Sequence, residues 1–470
     1  MPKAMKRILT LCALALAALT ASAQNYDHLY NNLPIELTQP TAPQIPSLTL
    51  NVTDFGAVGD GLTLNTEAFA KAIAALDKQG GGHLVVPAGI FLSGPISLKS
   101  NIDLHLQHGA ILLATPDRTL HLKDNKPTTF ISASKRSNIS ITGGGIIDGN
   151  GEYWRPVKRS KVSDTEWKEY LALGGTVTDD GSLWYPYDLL HYDNYASSPK
   201  AQERGRTHLI RLTDCQNILI SGVTIQNAPK FHLIPTRCSN VIIDGITVRC
   251  PWNAQNGDGI DLSSCRNVLV VGCSVDVGDD GICMKAGAGE SGVKYGPCDN
   301  ILITQNTVFR AHGGFVIGSE FTGGMSNIVV RDNTFAGTDT GLRFKSGIGR
   351  GGVCKDIHIS NIRMIDIKDE AIVFDCGYEN RSAGEAPDAK GVETGLFAPH
   401  FCDIHISDVV CHGAETAIAA RGLETHRCVY DVTVERSTFF YTKSSEQLSG
   451  EVDIRLTDCT FESFSHPQQE

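Results

Sequence analysis

The pattern of polar and apolar residues repeats along most of the chain. In the repeated frame a cysteine precedes an asparagine by two residues and a β-branched residue follows, as in Cys215-Gln216-Asn217-Ile218. Later copies keep this frame, with methionine or aspartate as single replacements, at Asn240, Asn267, Asn300, Met325 to Asn327 and Cys354 to Asp356. Counting between the anchors at 217, 240, 267, 300, 327 and 356 gives spacings of 23, 27, 33, 27 and 29 residues. A repeat of this length indicates a solenoid.

The residues after each anchor predict short strands. Apolar and polar positions alternate in segments such as 218–220 and 223–225, and a second apolar segment follows a turn. Sustained helical periodicity is confined to Asn65 to Lys78. These features predict an all-β fold, a right-handed parallel β-helix. In this fold we expect the cysteines to stack in the core and the asparagines to form a hydrogen-bonded ladder at a turn.

The sequence predicts three parts. Residues 1–23 combine Lys3, Lys6 and Arg7 with an apolar run and a close of small residues, which is typical of a cleavable secretory signal. Residues 24–46 are interpreted as an N-terminal extension and residues 47–470 as a single β-helix domain. The stretch at about 152–206 breaks the repeat and is rich in tyrosine and tryptophan. Its rings either stack on sugars or pack this insertion onto the β-helix.

Charge narrows the range of partners. Removal of the signal leaves 41 − 3 = 38 lysines and arginines against 52 acidic residues, a net charge of −14. We therefore expect no nucleic-acid partner, and an anionic substrate requires basic residues gathered at the site. No apolar stretch after the signal reaches the roughly 18 residues that a membrane span needs. The expectation is an exported protein, periplasmic or extracellular, without cofactor or metal.

Stacking converts an offset from the anchor into a position in space, because equivalent residues of neighbouring coils lie about 4.8 Å apart. Asp279, His312 and Asp339 each come twelve residues after an anchor. Matching the segment after Asp258 with the segment after Asp280 puts these two aspartates side by side. The sequence therefore predicts that several carboxyl groups and a histidine share one outer face.

The strand after these residues alternates between core and surface. Its alternation predicts two inward columns, Ile282 with Phe315 and Leu342, and Met284 with Ile317 and Phe344. The intervening side chains then point outward, namely those of Cys283, Val316, Arg343, Lys285 and Lys345. Two or three cations are thus expected beside the carboxyl groups.

This combination predicts glycoside hydrolysis. Three neighbouring acids cannot all stay ionised at low cost, so at least one should have a raised pKa. A carboxylic acid that protonates a leaving oxygen, with a carboxylate that activates water, is what glycosidases use. The candidate catalytic residues are Asp258, Asp279, Asp280 and His312.

The motifs around these residues resemble those of the polygalacturonases, glycoside hydrolase family 28. The family pattern Asn-Thr-Asp, Gly-Asp-Asp, Gly-His-Gly and Arg-Ile-Lys is matched in order by Asn256-Gly257-Asp258, Gly278-Asp279-Asp280, Ala311-His312-Gly313 and Arg343-Phe344-Lys345. Three motifs differ at one position each, and none loses a charged group. Residues 54–61 and 80–82 also look like the entry coil of pectin-degrading β-helices.

The resemblance implies hydrolysis of α-1,4-galacturonosidic bonds in pectic polysaccharide or oligosaccharide, with inversion at the anomeric carbon. Asp279 would be the general acid, and Asp258 and Asp280 would hold and activate the attacking water. His312 would tune or orient the acid.

Substrate binding is assigned to three residues. The resemblance implies that Arg343 and Lys345 bind the uronate carboxylate, and Tyr378 on a neighbouring coil is a further candidate. Because the insertion precedes the coils that carry Asp258 and Asp279, it can fold over one end of the cleft. We therefore expect exo-action, with release of monogalacturonate from the non-reducing end.

Three alternatives remain open at this point. The substrate could be a rhamnogalacturonan. The protein could be a calcium-dependent pectate lyase whose acidic residues bind the cation, although His312 and the basic pair suit a carboxylate ligand better. It could also be a non-catalytic carbohydrate-binding solenoid, which gives no reason for adjacent acids.

Overall fold

The structure is a computed structural model that describes residues 25–124, 126–186, 203, 205–378, 396–424 and 426–464. The predicted signal at 1–23 lies outside the described residues, as do Tyr187, Tyr192 and Tyr195 of the insertion. The chain divides into two units, Met1–Leu33 and Pro34–Glu470. The first contains a 3₁₀ helix at Asp27–Tyr30. Among the described residues no helix is both long and apolar enough to cross a membrane.

The second unit is a right-handed parallel β-helix, as predicted. Strands of successive coils pair in parallel and form three ladders. One coil contributes Gln216–Ser221 to the first ladder, Thr224–Gln226 to the second and Leu233–Thr236 to the third. Three short connections in this coil, at 222–223, 227–232 and 237–238, turn the chain from one ladder to the next.

Each ladder runs along the solenoid in chain order. The first consists of Thr49–Asn51, Gly82–Val86, Ile102–Leu106, Ser137–Gly143, Gln216–Ser221, Ser239–Asp244, Arg266–Val271, Cys298–Thr304, Met325–Arg331, Val353–Cys354, Ile357–Ser360, His400–Ser407, Val429–Glu435 and Val452–Thr457. The second consists of Gly89–Ser93, Ala110–Ala114, Ile146–Asp148, Thr224–Gln226, Thr247–Arg249, Ser274–Asp276, Thr307–Phe309, Thr334–Ala336 and Arg363–Ile365. The third consists of Ile96–Ser97, Ile131–Ser134, Ile210–Thr213, Leu233–Thr236, Ile260–Ser263, Ile282–Lys285, Gly313–Ile317, Thr340–Lys345 and Glu370–Asp375. The second and third ladders merge in Val410–Arg421 and Thr438–Ser449, and Thr460–Ser463 pairs with the latter.

The two predicted inward columns are confirmed. Pairing aligns Ile282 with Phe315 and Leu342, and Met284 with Ile317 and Phe344. All six side chains belong to the continuous apolar core. Cys283 and Val316 are excluded from this core, as predicted, yet both are fully buried. Outward-facing positions of the third ladder are therefore covered at this point by other parts of the chain.

The predicted cysteine stack is confirmed, and the asparagine ladder is confirmed as far as Asn267; Asn300 donates to the carbonyl oxygen of Thr38 instead, and Asn327 to Asp299. The cysteines of the repeated frame are buried in the core at Cys215, Cys238, Cys265, Cys298 and Cys354. The asparagine anchors adopt left-handed backbone conformations. Their side-chain amides donate from coil to coil along Asn138, Asn217, Asn240 and Asn267, at 2.9 to 3.2 Å. Asparagine suits this position because it tolerates the left-handed region and offers both a donor and an acceptor.

The first helix, α1, spans Thr66–Lys78 where helical periodicity predicts it. The expectation of no other helix is wrong, since α2 spans Asp164–Ala172 and α3 spans Gly289–Tyr295. No side chain of the nine-residue α2 is fully buried, and its apolar residues Trp167, Tyr170 and Leu171 form too short a pattern for sustained periodicity. Its start is stabilised by a capping box between Ser163 and Glu166. Helix α3 has seven residues and is too short for a period to show.

The insertion forms a small folded layer. Three antiparallel strands, Val157–Lys158, Leu183–Tyr185 and Thr176–Val177, pair beside α2. Further short elements of the unit are 3₁₀ helices at Val52–Phe55, Arg118–His121, Gly151–Tyr153 and Arg159–Lys161 and the strand pair Leu122–Lys123 with Lys126–Pro127. Of the insertion's three described tryptophans, Trp154 is buried against His121 and Trp184 against Tyr170, while Trp167 is half-buried. These rings pack the insertion rather than present a surface for sugars.

Candidate active site

The predicted site residues meet at the turn that leads into the third ladder. Pairing of Ile260 with Ile282 puts Asp258 beside Asp280, as predicted. We call Asp258, Asp279 and Asp280 the carboxylate cluster.

The neighbouring column is also present. The amide of His312 donates to the carbonyl oxygen of Asp279 at 2.9 Å, and the amide of Thr340 donates to the carbonyl oxygen of His312 at 3.2 Å. Asp279, His312 and Asp339 therefore occupy equivalent positions in successive coils, in agreement with their equal offsets from the anchors.

Close backbone packing holds the cluster together. A Cβ at Gly278 would lie 2.6 Å from the carbonyl oxygen of Ala254 and 2.8 Å from that of Pro251. Only glycine fits there, because backbone atoms of the preceding coil cannot move aside as a flexible side chain could. The loop before Asp258 thus contacts the residue before Asp279.

Asp280 is held as a carboxylate by cations. Its Oδ2 lies 2.7 Å from Nζ of Lys345, and its Oδ1 lies 3.4 Å from a guanidinium nitrogen of Arg343. Burial acts to raise the pKa of Asp280, but Lys345, Arg343 and Lys285 outweigh it and hold the pKa below its usual value. Asp280 is therefore able to accept a proton from water at neutral pH.

The three predicted substrate-binding residues lie together. The guanidinium of Arg343 lies 5.7 Å, and the ammonium of Lys345 5.2 Å, from the ring centre of Tyr378. Lys345 is only 5% exposed, and its ammonium forms an ion pair with Asp280. The Arg343 side chain is 21% exposed and can reach a ligand.

Asp258 carries the raised pKa that crowded carboxyl groups predict. It is 3% exposed. Burial, and then the charges of Asp279 and Asp261, raise its pKa well above the usual value, and Lys285 opposes them only in part. The pKa of Asp258 is thus shifted in the opposite direction from that of Asp280.

Asp279 and His312 form a pair. Nδ1 of His312 lies 3.1 Å from Oδ1 of Asp279, and the amide of Asp280 donates to the same oxygen at 3.0 Å. Burial acts to raise the pKa of Asp279, but the hydrogen bond and charge of His312 outweigh it, and the pKa lies below its usual value. A general-acid role for Asp279 therefore depends on the protonation state of His312 and on substrate charge.

Two residues of the carboxylate cluster and His312 are spaced closely enough to hold a metal ion. Ligand atoms of Asp279, Asp280 and His312 lie within 4.8 Å of one another. Both oxygens of Asp280 already pair with Lys345 and Arg343, however, and a divalent cation would have to displace them. The arrangement suits an anionic ligand better.

The three positions that differ from the family pattern lie away from the outer face. Phe344 and Ala311 belong to the core, and Phe344 stacks on Phe374 at 4.4 Å between ring centres. A Cβ on Gly257 would meet the Cβ of Ala254 at 3.1 Å. These departures alter packing and leave the charged groups in place.

Two side chains at the site were not among the predicted site residues. Asp261 is buried with Lys285 at 3.6 Å, and burial raises its pKa to about 7. Asp261 could have been predicted from the sequence, because it aligns with Cys283 at an outward position of the strand that follows Asp258. Lys161 of the insertion reaches His312, and no pattern pointed to it because the insertion does not follow the repeat.

Comparison with known proteins adds a family. The family model described as glycosyl hydrolases family 28 matches residues 158–396, which contain every predicted site residue. A second family model, described as rhamnogalacturonase A/epimerase, pectate lyase-like, matches residues 49–107.

Curated relatives include enzymes of both modes of attack. The exo-poly-α-D-galacturonosidase of Dickeya chrysanthemi is 30% identical over 359 residues, which cover 73% of this chain and 59% of the relative. The endo-polygalacturonase of Pectobacterium carotovorum subsp. carotovorum is 30% identical over 331 residues, which cover 67% of this chain and 73% of the relative. The chain thus spans 59% of the Dickeya relative and 64% of a probable polygalacturonase of Vitis vinifera.

Solved structures agree. The chain is similar to a hyperthermoactive exopolygalacturonase from Thermotoga maritima, with a TM-score of 0.71, 30% identity and coverage of 89% of this chain and 94% of that one. It is also similar to the family 28 exopolygalacturonase of Yersinia enterocolitica, with a TM-score of 0.68, 25% identity and coverage of 89% and 78%. The chain belongs to glycosyl hydrolase family 28.

Proposed function

We propose that the protein hydrolyses α-1,4-galacturonosidic bonds of pectic chains. The observation that carries this proposal is the Asp280 carboxyl group, paired with Lys345 and Arg343 directly beside the Asp279–His312 pair. It supplies a base and a candidate acid on one face, with a cation available for a uronate. The polygalacturonase relatives support the same substrate class.

The proposed chemistry uses one proton donor and one acceptor. Asp279 gives its proton to the glycosidic oxygen as the bond from that oxygen to the anomeric carbon breaks. A water molecule attacks the anomeric carbon and loses a proton to Asp280, while Asp258 helps to hold the water. Exchange with solvent then restores both carboxyl groups. Arrival of an anionic uronate favours the protonated form of Asp279, because added negative charge and loss of water both raise a carboxyl pKa.

We propose that the anomeric configuration is inverted. Oxygens of Asp279 and Asp280 lie within 4.8 Å, whereas inverting enzymes usually separate their carboxyl groups by about 6.5 to 9.5 Å. Both oxygens of Asp280 are engaged by cations, however, which weakens Asp280 as a nucleophile toward carbon. The family resemblance also supports attack by water, and product stereochemistry decides the question.

We propose exo-action from the position of the insertion. Arg206 donates to the carbonyl oxygen of Gln255 at 2.6 Å, which ties the insertion to the loop before Asp258. Lys161 reaches His312 from the same insertion. A folded layer against the site leaves room for a chain end more readily than for an uninterrupted polymer. The exopolygalacturonases among the similar structures support this mode.

We further propose that the protein is exported, periplasmic or extracellular, because residues 1–23 have the pattern of a secretory signal and polymeric pectin lies outside the cell. Detection of the mature N-terminus in a secreted fraction tests this point.

The function is tested on polygalacturonate, rhamnogalacturonan and oligogalacturonides of defined length. New reducing ends should rise on galacturonate substrates while viscosity falls slowly. Growth of ultraviolet-absorbing unsaturated ends would indicate a lyase. A preference for rhamnogalacturonan would show that the proposed substrate is wrong. A steep early loss of viscosity would indicate endo-action and contradict exo-action.

A further inference from the structure

A lysine from the insertion contacts the histidine of the site. Nζ of Lys161 lies 3.3 Å from Nε2 of His312 and 3.4 Å from the carbonyl oxygen of Gly278. On the other edge of the ring, Nδ1 of His312 lies 3.1 Å from Oδ1 of Asp279. The imidazole is thus placed between a cation and a carboxyl group.

Donor and acceptor counts then determine the tautomer of His312. A lysine ammonium has three donors and no acceptor, so Nε2 must accept from Lys161. The ring proton must then be on Nδ1, from which it is donated to Asp279. Since the amide of Asp280 also donates to Oδ1 of Asp279, Oδ2 is the oxygen free to carry a transferable proton.

A competing arrangement explains why the lysine matters. Oδ2 of Asp339 lies 3.8 Å from Nε2 of His312, while Oδ1 of Asp339 is paired with Lys368 at 2.7 Å. Without Lys161 the ring would lie between two carboxyl groups, Asp279 and Asp339. That setting favours a proton on Nε2, from which it is donated to Asp339. Nδ1 would then be an acceptor, and the proton of Asp279 would be donated from Oδ1 to the ring instead of to the leaving oxygen.

The local structure keeps Lys161 in place. It ends the 3₁₀ helix Arg159–Lys161. The amide of Arg159 donates to the carbonyl oxygen of Ser182 at 2.9 Å, and its guanidinium donates to the carbonyl oxygen of Val162 at 2.9 Å and lies 5.7 Å from the ring centre of Trp167. Lys161 therefore extends from a folded turn and not from a free loop.

We propose that Lys161 is a positioning residue that holds His312 in the neutral tautomer with its proton on Nδ1, so that Asp279 can carry and donate a proton from Oδ2. This inference rests on the acid role proposed above for Asp279.

The tautomer can be read without substrate by nuclear magnetic resonance of ¹⁵N-labelled histidine rings. The chain has 15 histidines, and the signals of His312 are those lost in His312→Gln. In the unmodified protein we expect a protonated Nδ1 and an unprotonated Nε2. In Lys161→Met the proton should move toward Nε2. Lys158→Met, on the same insertion, is the matched control and should change neither signal.

Kinetics supply the second readout. Lys161→Met should lower kcat by about tenfold to a hundredfold with little change in KM, because the acid is misplaced and ground-state binding is kept. Asp339→Asn added to Lys161→Met should restore the Nδ1 proton, since it removes the competing carboxylate. Ring signals that stay unchanged in Lys161→Met would overturn the proposal, as would a rise in KM alone. Because the ring signals need no substrate, a wrong choice of substrate would leave that part of the test intact.

Discussion

At the scale of single residues, Asp279 and Asp280 differ in their partners. Asp280 contacts two cations, whereas Asp279 contacts the imidazole of His312. Both contacts hold the carboxyl pKa below its usual value, so the acid role proposed for Asp279 requires a bound anionic substrate to raise its pKa again.

Asp279→Asn should keep the fold and abolish most of the turnover. The amide has the same shape but has no acidic proton for the leaving oxygen, so kcat should fall by about 10²-fold to 10⁴-fold or more. Steady-state kinetics on an oligogalacturonide, with circular dichroism as the control for folding, measures this. Retention of more than about a tenth of the activity would mean that another group is the acid.

Lys345→Met should move the acid limb of the pH–rate profile to higher pH. Lys345 is the main cation that lowers the pKa of Asp280 against its burial. Removing the cation raises that pKa, and the base must be ionised to act, so more alkaline conditions are needed. Lys443→Met, at an exposed lysine, is the control. If the acid limb did not move, Asp280 would not be the catalytic base.

Asp261→Asn should reduce the loss of stability between about pH 4.5 and pH 7.5. Burial raises the pKa of Asp261 from 3.8 to about 7, so the folded protein keeps a proton that the unfolded chain releases. The stability from this proton is complete below the unfolded pKa and is lost as pH rises through about 7. Asparagine cannot ionise. Urea midpoints of both proteins at the two pH values measure the difference, and parallel curves would contradict a raised pKa.

At the scale of elements, the asparagine ladder connects the coils at one turn. Asn240 donates to Asn217 at 2.9 Å and accepts from Asn267 at 3.2 Å, with φ of 54°. Asn240→Ala should lose these bonds, at about 0.5 to 1.5 kcal/mol each, and add about 1 to 2 kcal/mol for a left-handed alanine. Asn240→Gly should lose only the bonds and unfold at a higher denaturant concentration than the alanine variant. Equal denaturation midpoints for the alanine and glycine variants would contradict a cost for placing alanine in the left-handed region.

Elements were predictable where the repeat continues. Coil spacing predicted the stacked strands, the buried cysteines and the equivalence of Asp279, His312 and Asp339, because parallel pairing turns sequence offset into position. The insertion has no such relation to its neighbours. Its helix α2 is stabilised locally by a capping box, and the contact from Lys161 to His312 joins residues 151 positions apart. Neither follows from periodicity.

At the scale of the whole molecule, the fold places a charged site on the outer face of a rigid core. Each coil contributes one or two functional side chains, and their alignment depends on the register of the third ladder. The sequence therefore predicted which residues meet and that one acid has a raised pKa, but not which one. Charge states depend on burial and on charged neighbours from other coils. Burial and nearby carboxyl groups raise the pKa of Asp258, whereas His312 outweighs burial and lowers that of Asp279.

The early products of polygalacturonate digestion, followed by proton nuclear magnetic resonance, test the central claim most directly. One time course reports the kind of bond cleavage, the anomeric configuration and the product length. We predict that free galacturonate appears first, as the β-anomer, and that no vinyl proton of an unsaturated sugar accompanies it. An α-anomer formed first would contradict attack by water held at Asp280. A vinyl signal would contradict hydrolysis itself.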